Sequence, residues 1–245
     1  MFKHPGRLTE AIVLCGGLGE RLRPLTEQMP KAMIPIGGRP MIEWQLRWLM
    51  KYGVERIVFA CGYLHEAIED FVKSSNFGIQ CLFSVEKDKI GTSGAAKQAL
   101  PMVRGDSAFV LNCDILSMLD LTELAAYHKL MGKVGTITVT QLKSPYGICE
   151  SFNGVLERFV EKPLLPHWIN AGIYVFNRNI MASLSEKGAL EQEVFPKLTG
   201  ALSVYMTRQR WMAIDTMKDL RETEAQRSEE RRVGKECRSR WSPYH

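Results

Sequence analysis

No apolar run in this 245-residue chain approaches the roughly 20 residues needed to cross a bilayer. The N-terminal run Ala11-Ile12-Val13-Leu14 is cut short by glycines and Glu20-Arg21, so it does not read as a leader either. A cytoplasmic protein without a membrane partner is the expectation. The six cysteines (Cys15, Cys61, Cys81, Cys113, Cys149, Cys237) contain no C-x-x-C pair and sit mostly inside apolar runs. They read as small buried residues of a reduced protein. The five histidines are scattered without ligand spacing, which argues against zinc. No convincing Ser/His/Asp or Cys/His constellation is present, and no G-K-[ST] closes a Walker loop anywhere.

Strong charge of one sign is also missing once the last residues are set apart. Residues 227–245 (RSEERRVGKECRSRWSPYH) show no helical or strand period and resemble adapter read-through appended to a truncated reading frame. We therefore expect one folded domain over residues 1–226 and a tail outside the fold. Setting the tail aside leaves 26 of 32 basic and 24 of 27 acidic residues, and the formal charge falls from +5 to +2. That balance gives no reason to expect nucleic-acid binding.

What is present is the ordinary 45% hydrophobic, 24% charged content of a globular domain. Apolar β-rich runs alternate with helical patterns through the first half, which predicts βαβ units and a doubly wound, largely parallel sheet. Strands are expected at Ala11–Leu14, Arg56–Ala60, Gln80–Ser84, Ala108–Leu111 and Gly135–Thr140. A helix is expected over Pro40–Tyr52, stopped by Gly53, and another between Asp120 and Gly132. The second half is strand-like at Gly147–Glu150, Val155–Glu161, Ile169–Phe176 and Ala201–Thr207. It reads as a smaller mixed β insertion over the mouth of the parallel sheet.

The stretch Cys15 to Gly38 (CGGLGERLRPLTEQMPKAMIPIGG) follows the first strand. A dinucleotide turn would need G-x-G-x-x-G, and Leu22 occupies the place of the third glycine. Two readings stay open on the residues themselves. Gly16, Gly17 and Gly19 let the backbone approach phosphate oxygens while Arg21, Arg23 and Lys31 supply charge. Alternatively the stretch is a glycine turn carrying solvated charges.

G-G-x-G-x-R-L-R-P-L-T, then P-K, then P-I-x-G-x-P resemble the signature of the sugar-1-phosphate nucleotidylyltransferases. The likeness continues in Asn112-Cys113-Asp114, Tyr146-Gly147, Phe159-Val160-Glu161-Lys162-Pro163, Asn170-Ala171-Gly172 and Trp211-x-x-Ile214-Asp215-Thr216. It runs from Leu8 to about Gln226 in the family's order. A related group that loads nucleotides onto molybdopterin has R-M-G after its glycines, and Arg21-Leu22-Arg23-Pro24 differs from it.

This resemblance implies a Rossmann-like fold whose β insertion forms the sugar-binding side. It also implies a reaction in which a hexose 1-phosphate attacks the α-phosphorus of an NTP and pyrophosphate leaves. Bringing two polyanions together is the main difficulty, so cations and positioning supply the catalysis. On the family's pattern Leu14, Gly16, Gly17, Gly19, Glu20, Arg21 and Lys31 take the nucleotide, and Gly94 of Gly91-Thr92-Ser93-Gly94-Ala95 lies beside the base. Arg21, Lys31 and Lys162 are the catalytic cations. Gly147, Glu161, Lys162 and Asn170 receive the sugar phosphate, and Asp114 with Asp215 holds Mg²⁺. Many members read W-x-D-x-G-T; this chain fits the W-x-x-M-D-T version, which makes Asp215 the second carboxylate and Asp219 a solvated helix residue. The Gly91 segment is nearer to guanylyl-, uridylyl- and thymidylyl-transferring members and the Asp215 region to cytidylyl ones, so the base stays open. Members of the family commonly self-associate, which makes a homo-oligomer an expected state. The rival from another class is an inactive regulatory or scaffold homologue, which should have eroded Arg21, Lys31, Asp114 or Lys162; all four are intact.

Overall fold

The structure, a computed structural model, describes residues 7–233. In chain order the strands are β1 (Glu10–Cys15), β2 (Pro35–Ile36), β3 (Arg39–Pro40), β4 (Arg56–Cys61), β5 (Gln80–Val85), β6 (Ser107–Asn112), β7 (Ile115–Ser117), β8 (Gly135–Lys143), β9 (Ile148–Phe152), β10 (Val155–Val160), β11 (Leu164–Asn177), β12 (Leu202–Thr207) and β13 (Trp211–Ala213). The α-helices are α1 (Met41–Lys51), α2 (His65–Ser75), α3 (Gly91–Ala99), α4 (Leu121–Met131) and α5 (Met217–Val233).

Seven strands form one sheet in the order β12-β8-β11-β6-β1-β4-β5. Only β11 runs against its neighbours β6 and β8; the remaining pairings are parallel. Every residue of β1 is buried, as a parallel strand covered on both faces requires. Side-chain alternation divides the core. Val13, Phe59 and Leu111 face one side with Ile42, Leu46 and Leu124 of α1 and α4. Ile12, Val58 and Val110 face the other with Ala96 of α3, Tyr174 and Leu190. Cys15 pairs with Cys61 across β1 and β4, and Cys113 joins the same side just past β6.

The expected helices form for the expected reasons. Pro40 precedes α1, which needs no N–H there, and Gly53 takes φ 76° just after it. The Asp120 carboxylate accepts from the N–H groups of Thr122 (2.8 Å) and Glu123 (3.1 Å), and Gly132 ends α4 at φ 60°.

Two expectations need correction. Ile169–Phe176 and Ala201–Thr207 do not belong to a separate insertion, because β11 and β12 lie inside and at the edge of the central sheet. The physical reason lies in β11, whose residues Ala171–Phe176 are all buried between β6 and β8 and hold the second half of the chain to the first. What stands apart is the two-stranded hairpin β9–β10, turned at Asn153 (φ 48°) and Gly154 (φ 78°). Helix α5 runs from Met217 to Val233, across the boundary expected at Gln226, and does not by itself decide where the domain ends. Residues 234–245 lie outside the described part. Cys149 on the hairpin is exposed, contrary to the reading of the cysteines as buried; Cys237 falls outside the described residues.

Candidate active site

Chain order reverses direction across the sheet between β1 and β6, and their carboxyl ends open a crevice at that switch point. A cleft of about 580 Å³ sits there. Of the residues expected to serve nucleotide and metal, Leu14, Gly16, Gly17, Gly19, Glu20, Arg21, Lys31, Asp114 and Asp215 all line it.

The glycine-rich stretch is an ordered loop. Gly19 adopts φ 63°, and its carbonyl accepts from Leu22 N–H (2.8 Å) and the Thr26 hydroxyl (2.9 Å). A Cβ on Gly19 would sit 2.8 Å from Thr26 Cγ2, so a side chain is excluded by contact as well as by conformation. Leu22, in the place where a dinucleotide turn has glycine, is fully buried. It packs with Ile34, Ile36, Met41, Leu116, Ile214 and Leu220 in a satellite core. Burying a leucine is worth about 1.5–3 kcal/mol, and this one fastens the loop to the segments that carry Asp114 and Asp215.

Those two carboxylates meet through a small ladder. β7 leaves Asp114 and pairs antiparallel with β13, which leads to Asp215; Ala213 lies opposite Ile115, and Ile214 N–H donates to Asp114 O (2.9 Å). The buried Gln45 side chain of α1 donates to the carbonyls of Asn112 (2.7 Å) and Ile115 (2.9 Å), clamping the turn on both sides of Asp114. Lys31 Nζ then donates to Asp114 Oδ2 (2.6 Å) and Asp215 Oδ1 (2.7 Å), and Arg21 Nη2 lies 3.1 Å from the same Asp215 oxygen. Burial lowers the Lys31 pKa, but the Asp114 charge and the hydrogen bonds to both carboxylates outweigh it, so the ammonium is held above its ordinary value.

Asp219 is not the solvated residue the sequence suggests. Its Oδ2 accepts from Asp215 N–H (3.1 Å), Thr216 N–H (2.8 Å) and the Thr216 hydroxyl (2.8 Å), while Asp219 N–H donates to Thr216 Oγ1 (3.2 Å). This is a reciprocal cap on α5 that fixes the backbone of Asp215. The T-x-x-D spacing from Thr216 was a usable signal for it.

Mg²⁺ takes one or two carboxylates and completes its shell with phosphate oxygens and water. The present residues fit that demand: two carboxylates converge on one point, which the Lys31 ammonium occupies as a cation in its own right. Among the described residues no group of three His, Cys, Asp or Glu side chains could enclose a metal. The remaining ligands would be phosphate oxygens and water.

The other expected residues distribute differently. Gly94 does not line the cleft; a Cβ there would overlap Glu186 O, so its smallness lets α3 pack against the 185–188 turn, and Gly91 lines the cleft instead. Gly147 and Glu161 are neighbours on the hairpin side, where a Cβ on Gly147 would meet Glu161 Oε2 at 2.9 Å. Lys162 takes φ 46° at the start of the return into β11. None of these three lines the cleft. Asn170 Nδ2 donates to Tyr174 Oη (2.8 Å) and to Glu191 Oε1 (3.3 Å), and Glu191 does line it. Sequence reasoning missed Glu191 and Glu86, and it quoted Asn112 in a motif without giving it a place in the site. Glu86 is half-buried, and burial raises its carboxyl pKa against the smaller lowering effects of the Ile90 N–H and Lys89.

The family described as "Nucleotidyl transferase" matches residues 10–230. The chain belongs to that family. It is 38% identical over 224 residues to a mannose-1-phosphate guanyltransferase of Neurospora crassa, covering 86% of this chain and 62% of the relative. It is 34% identical over 226 residues to the mannose-1-phosphate guanylyltransferase catalytic subunit beta of Drosophila melanogaster, covering 87% of this chain and 61% of the relative. The chain thus spans about three fifths of these relatives' length. Among solved structures, HddC from Yersinia pseudotuberculosis complexed with GMP-PN matches with a TM-score of 0.74 at 25% identity, over 89% of this chain and 99% of HddC. No helix among the described residues of this chain is long and apolar enough to cross a membrane.

Proposed function

We propose that the protein condenses an NTP with a sugar 1-phosphate to give an NDP-sugar and pyrophosphate, a nucleotidyl transfer of the EC 2.7.7 type, in the cytoplasm. One observation carries the reading: two carboxylates and two cations, Asp114, Asp215, Lys31 and Arg21, converge at the switch point of the sheet behind a glycine-rich loop. The names of the relatives make GTP and mannose 1-phosphate the first pair to test.

The quartet is balanced with the cleft as described, two positive charges against two negative. A triphosphate brings roughly four negative charges, which the carboxylates repel and the cations attract. Mg²⁺ held by Asp114 and Asp215 would supply charge neutralisation at the phosphate oxygens. Lys31 would then be free to turn from the carboxylates to phosphate, as would Arg21, whose side chain is 70% exposed and free to swing. Lys162 and Asn170 would receive the sugar phosphate from the β11 side. No proton need be taken from a neutral nucleophile, since a sugar phosphate is already anionic. Each cation lost should lower turnover by about a hundredfold, the typical effect of removing one transition-state contact.

The test is pyrophosphate release from GTP, with UTP, ATP and CTP beside it, in the presence of hexose 1-phosphates. Release that requires both substrates and Mg²⁺, and that disappears in Asp114→Ala with the fold retained, is expected. No release across the panel would refute the reading.

A further inference from the structure

Every residue of β9 is exposed, and in β10 only Val160 is half-buried. These two strands pair with each other, and among the described residues no third strand joins them. A two-stranded hairpin without a covering layer is marginally stable in water. This one displays the large apolar side chains that such a layer would bury, with Phe152 65% exposed and Val155 67%. Apolar side chains gathered in one exposed place mark an interaction surface.

The strand register sorts the side chains into two faces. Cross-strand partners share a face, so Phe152 with Val155, Glu150 with Arg158 and Ile148 with Val160 form three rows on one side of the hairpin. Arg158 Nη1 lies 3.3 Å from Glu150 Oε1, which places the middle row on that side despite the bulge at Glu157. The other side carries Cys149, Ser151, Leu156 and Phe159, and it is partly covered from within, since a Cβ on Gly147 would overlap the Phe159 ring.

The three-row face complements itself. A two-fold axis parallel to the strands brings each row of one copy against the same row of another, with β9 facing β10. Phe152 then faces Val155, Ile148 faces Val160 and Glu150 faces Arg158, so apolar meets apolar and each charge meets its opposite. A two-fold interface sets this condition, because one patch must fit itself; an unrelated partner would need no such symmetry. Within one hairpin the Glu150–Arg158 pair is worth little, since both side chains are more than half exposed. Between two layers it would be shielded from water and would fix their register. The six side chains expose on the order of 600 Å², so two copies would bury about 1,200 Å² together, the lower end of the range for a specific complex.

We propose that the chain forms a two-fold dimer through the Ile148–Glu150–Phe152 face of the hairpin, a second copy supplying the missing layer. This surface lies outside the cleft, and the proposal stands whether or not the cleft transfers nucleotides.

Sedimentation velocity of the whole chain in reducing buffer, from about 1 to about 200 μM, tests it. The reductant keeps Cys149 and Cys237 from linking copies by disulfides. Wild-type protein should pass from monomer to dimer within that range, as the modest area implies. Glu150→Arg and Arg158→Glu should each weaken association by about tenfold or more, since each sets like charges against one another across the axis. Mixed in equal amounts, these two variants should associate with each other about as tightly as wild type, because the all-basic row of one meets the all-acidic row of the other. Phe152→Ser should weaken association by a similar factor. Wild-type protein that stays monomeric over the whole range would overturn the proposal. So would a dimer left unchanged by Glu150→Arg and by Phe152→Ser in proteins that melt like wild type, or charge variants that fail to associate when mixed.

Discussion

Replacing Lys31 by Met keeps most of the apolar stem and removes the ammonium that Asp114 and Asp215 share. Removing one partner of a buried ion pair typically costs 3–5 kcal/mol, because the surviving charge is left uncompensated. Here the surviving carboxylates are 22% and 32% exposed, so water and Arg21, 3.1 Å from Asp215, relieve part of that penalty. We expect about 2 kcal/mol of lost stability, or roughly 4–8 °C in Tm for a domain of this size. The informative arm is Mg²⁺. In wild-type protein the ion must displace an ammonium already in place, whereas in Lys31→Met it meets two bare carboxylates. Millimolar Mg²⁺ should therefore restore most of the lost Tm in the variant and raise wild-type Tm less. Differential scanning fluorimetry with Mg²⁺ and with EDTA reads both quantities. A variant that melts within a degree of wild type in EDTA, or one whose Mg²⁺ response is no larger, would show that Lys31 does not stand in for the metal.

Asp219→Ala should cost about 1–2 kcal/mol by uncapping α5 and should also lower turnover, because Asp215 loses its backbone anchor; Asp219→Asn, which can still accept, should recover most of both. Burial lowers the pKa of His128, whose Nε2–H donates to Asn177 Oδ1 (2.8 Å) while Nδ1 accepts from the Thr136 hydroxyl (2.7 Å). The unfolded chain then binds the proton first, so this contribution to stability is complete above the ordinary value of 6.5 and is lost as pH falls below it. Urea midpoints from about pH 7 down to about pH 5 should fall, by at most about 1.4 kcal/mol per pH unit from this group, and His128→Gln should flatten the slope. In a Cys237→Ser background, a thiol reagent should label Cys149 at once and the other four cysteines only on unfolding. Three of those four are buried, and burial pushes the Cys81 thiol up to about 11. Rapid labelling of a second thiol in native protein would contradict the packing of β1, β4 and β6.

The sheet was legible wherever one strand's own composition decides its fate. The mostly apolar runs of β1, β4 and β6 read as strands of a parallel sheet, and Asp114 follows the last of them, where the family's pattern also puts a carboxylate. β11 was misplaced because its first half is exposed and only Ala171–Phe176 is buried; a local pattern does not say which sheet a strand enters. Arg21, Lys31 and Asp215 were found by motif, but their mutual pairing depends on the β7–β13 ladder, which has three residues per strand and no periodicity to detect. Glu86 and Glu191 escaped because each lies in a short segment without a readable period, Glu86 just past β5 and Glu191 in the single π-helical turn Leu190–Val194, and each meets the cleft only in the folded chain. Gly94 packs against the 185–188 turn, and a glycine required for packing looks the same in sequence as one required for a ligand.

The β7–β13 ladder also sets when the site exists during folding. A chain extended from its N-terminus has every strand of the central sheet by Thr207, yet Trp211–Asp215 is still missing. At that stage Lys31 has one carboxylate, and Leu22 lacks Ile214 and Leu220 in its satellite core. The Lys31–Asp114–Asp215 cluster is thus closed by a contact of very large sequence separation, of the kind that forms late because loop-closure entropy must be overcome first. On a ribosome, a nascent chain could complete its sheet before this charge cluster exists, and the pairing of Lys31 with its second carboxylate would mark the end of folding.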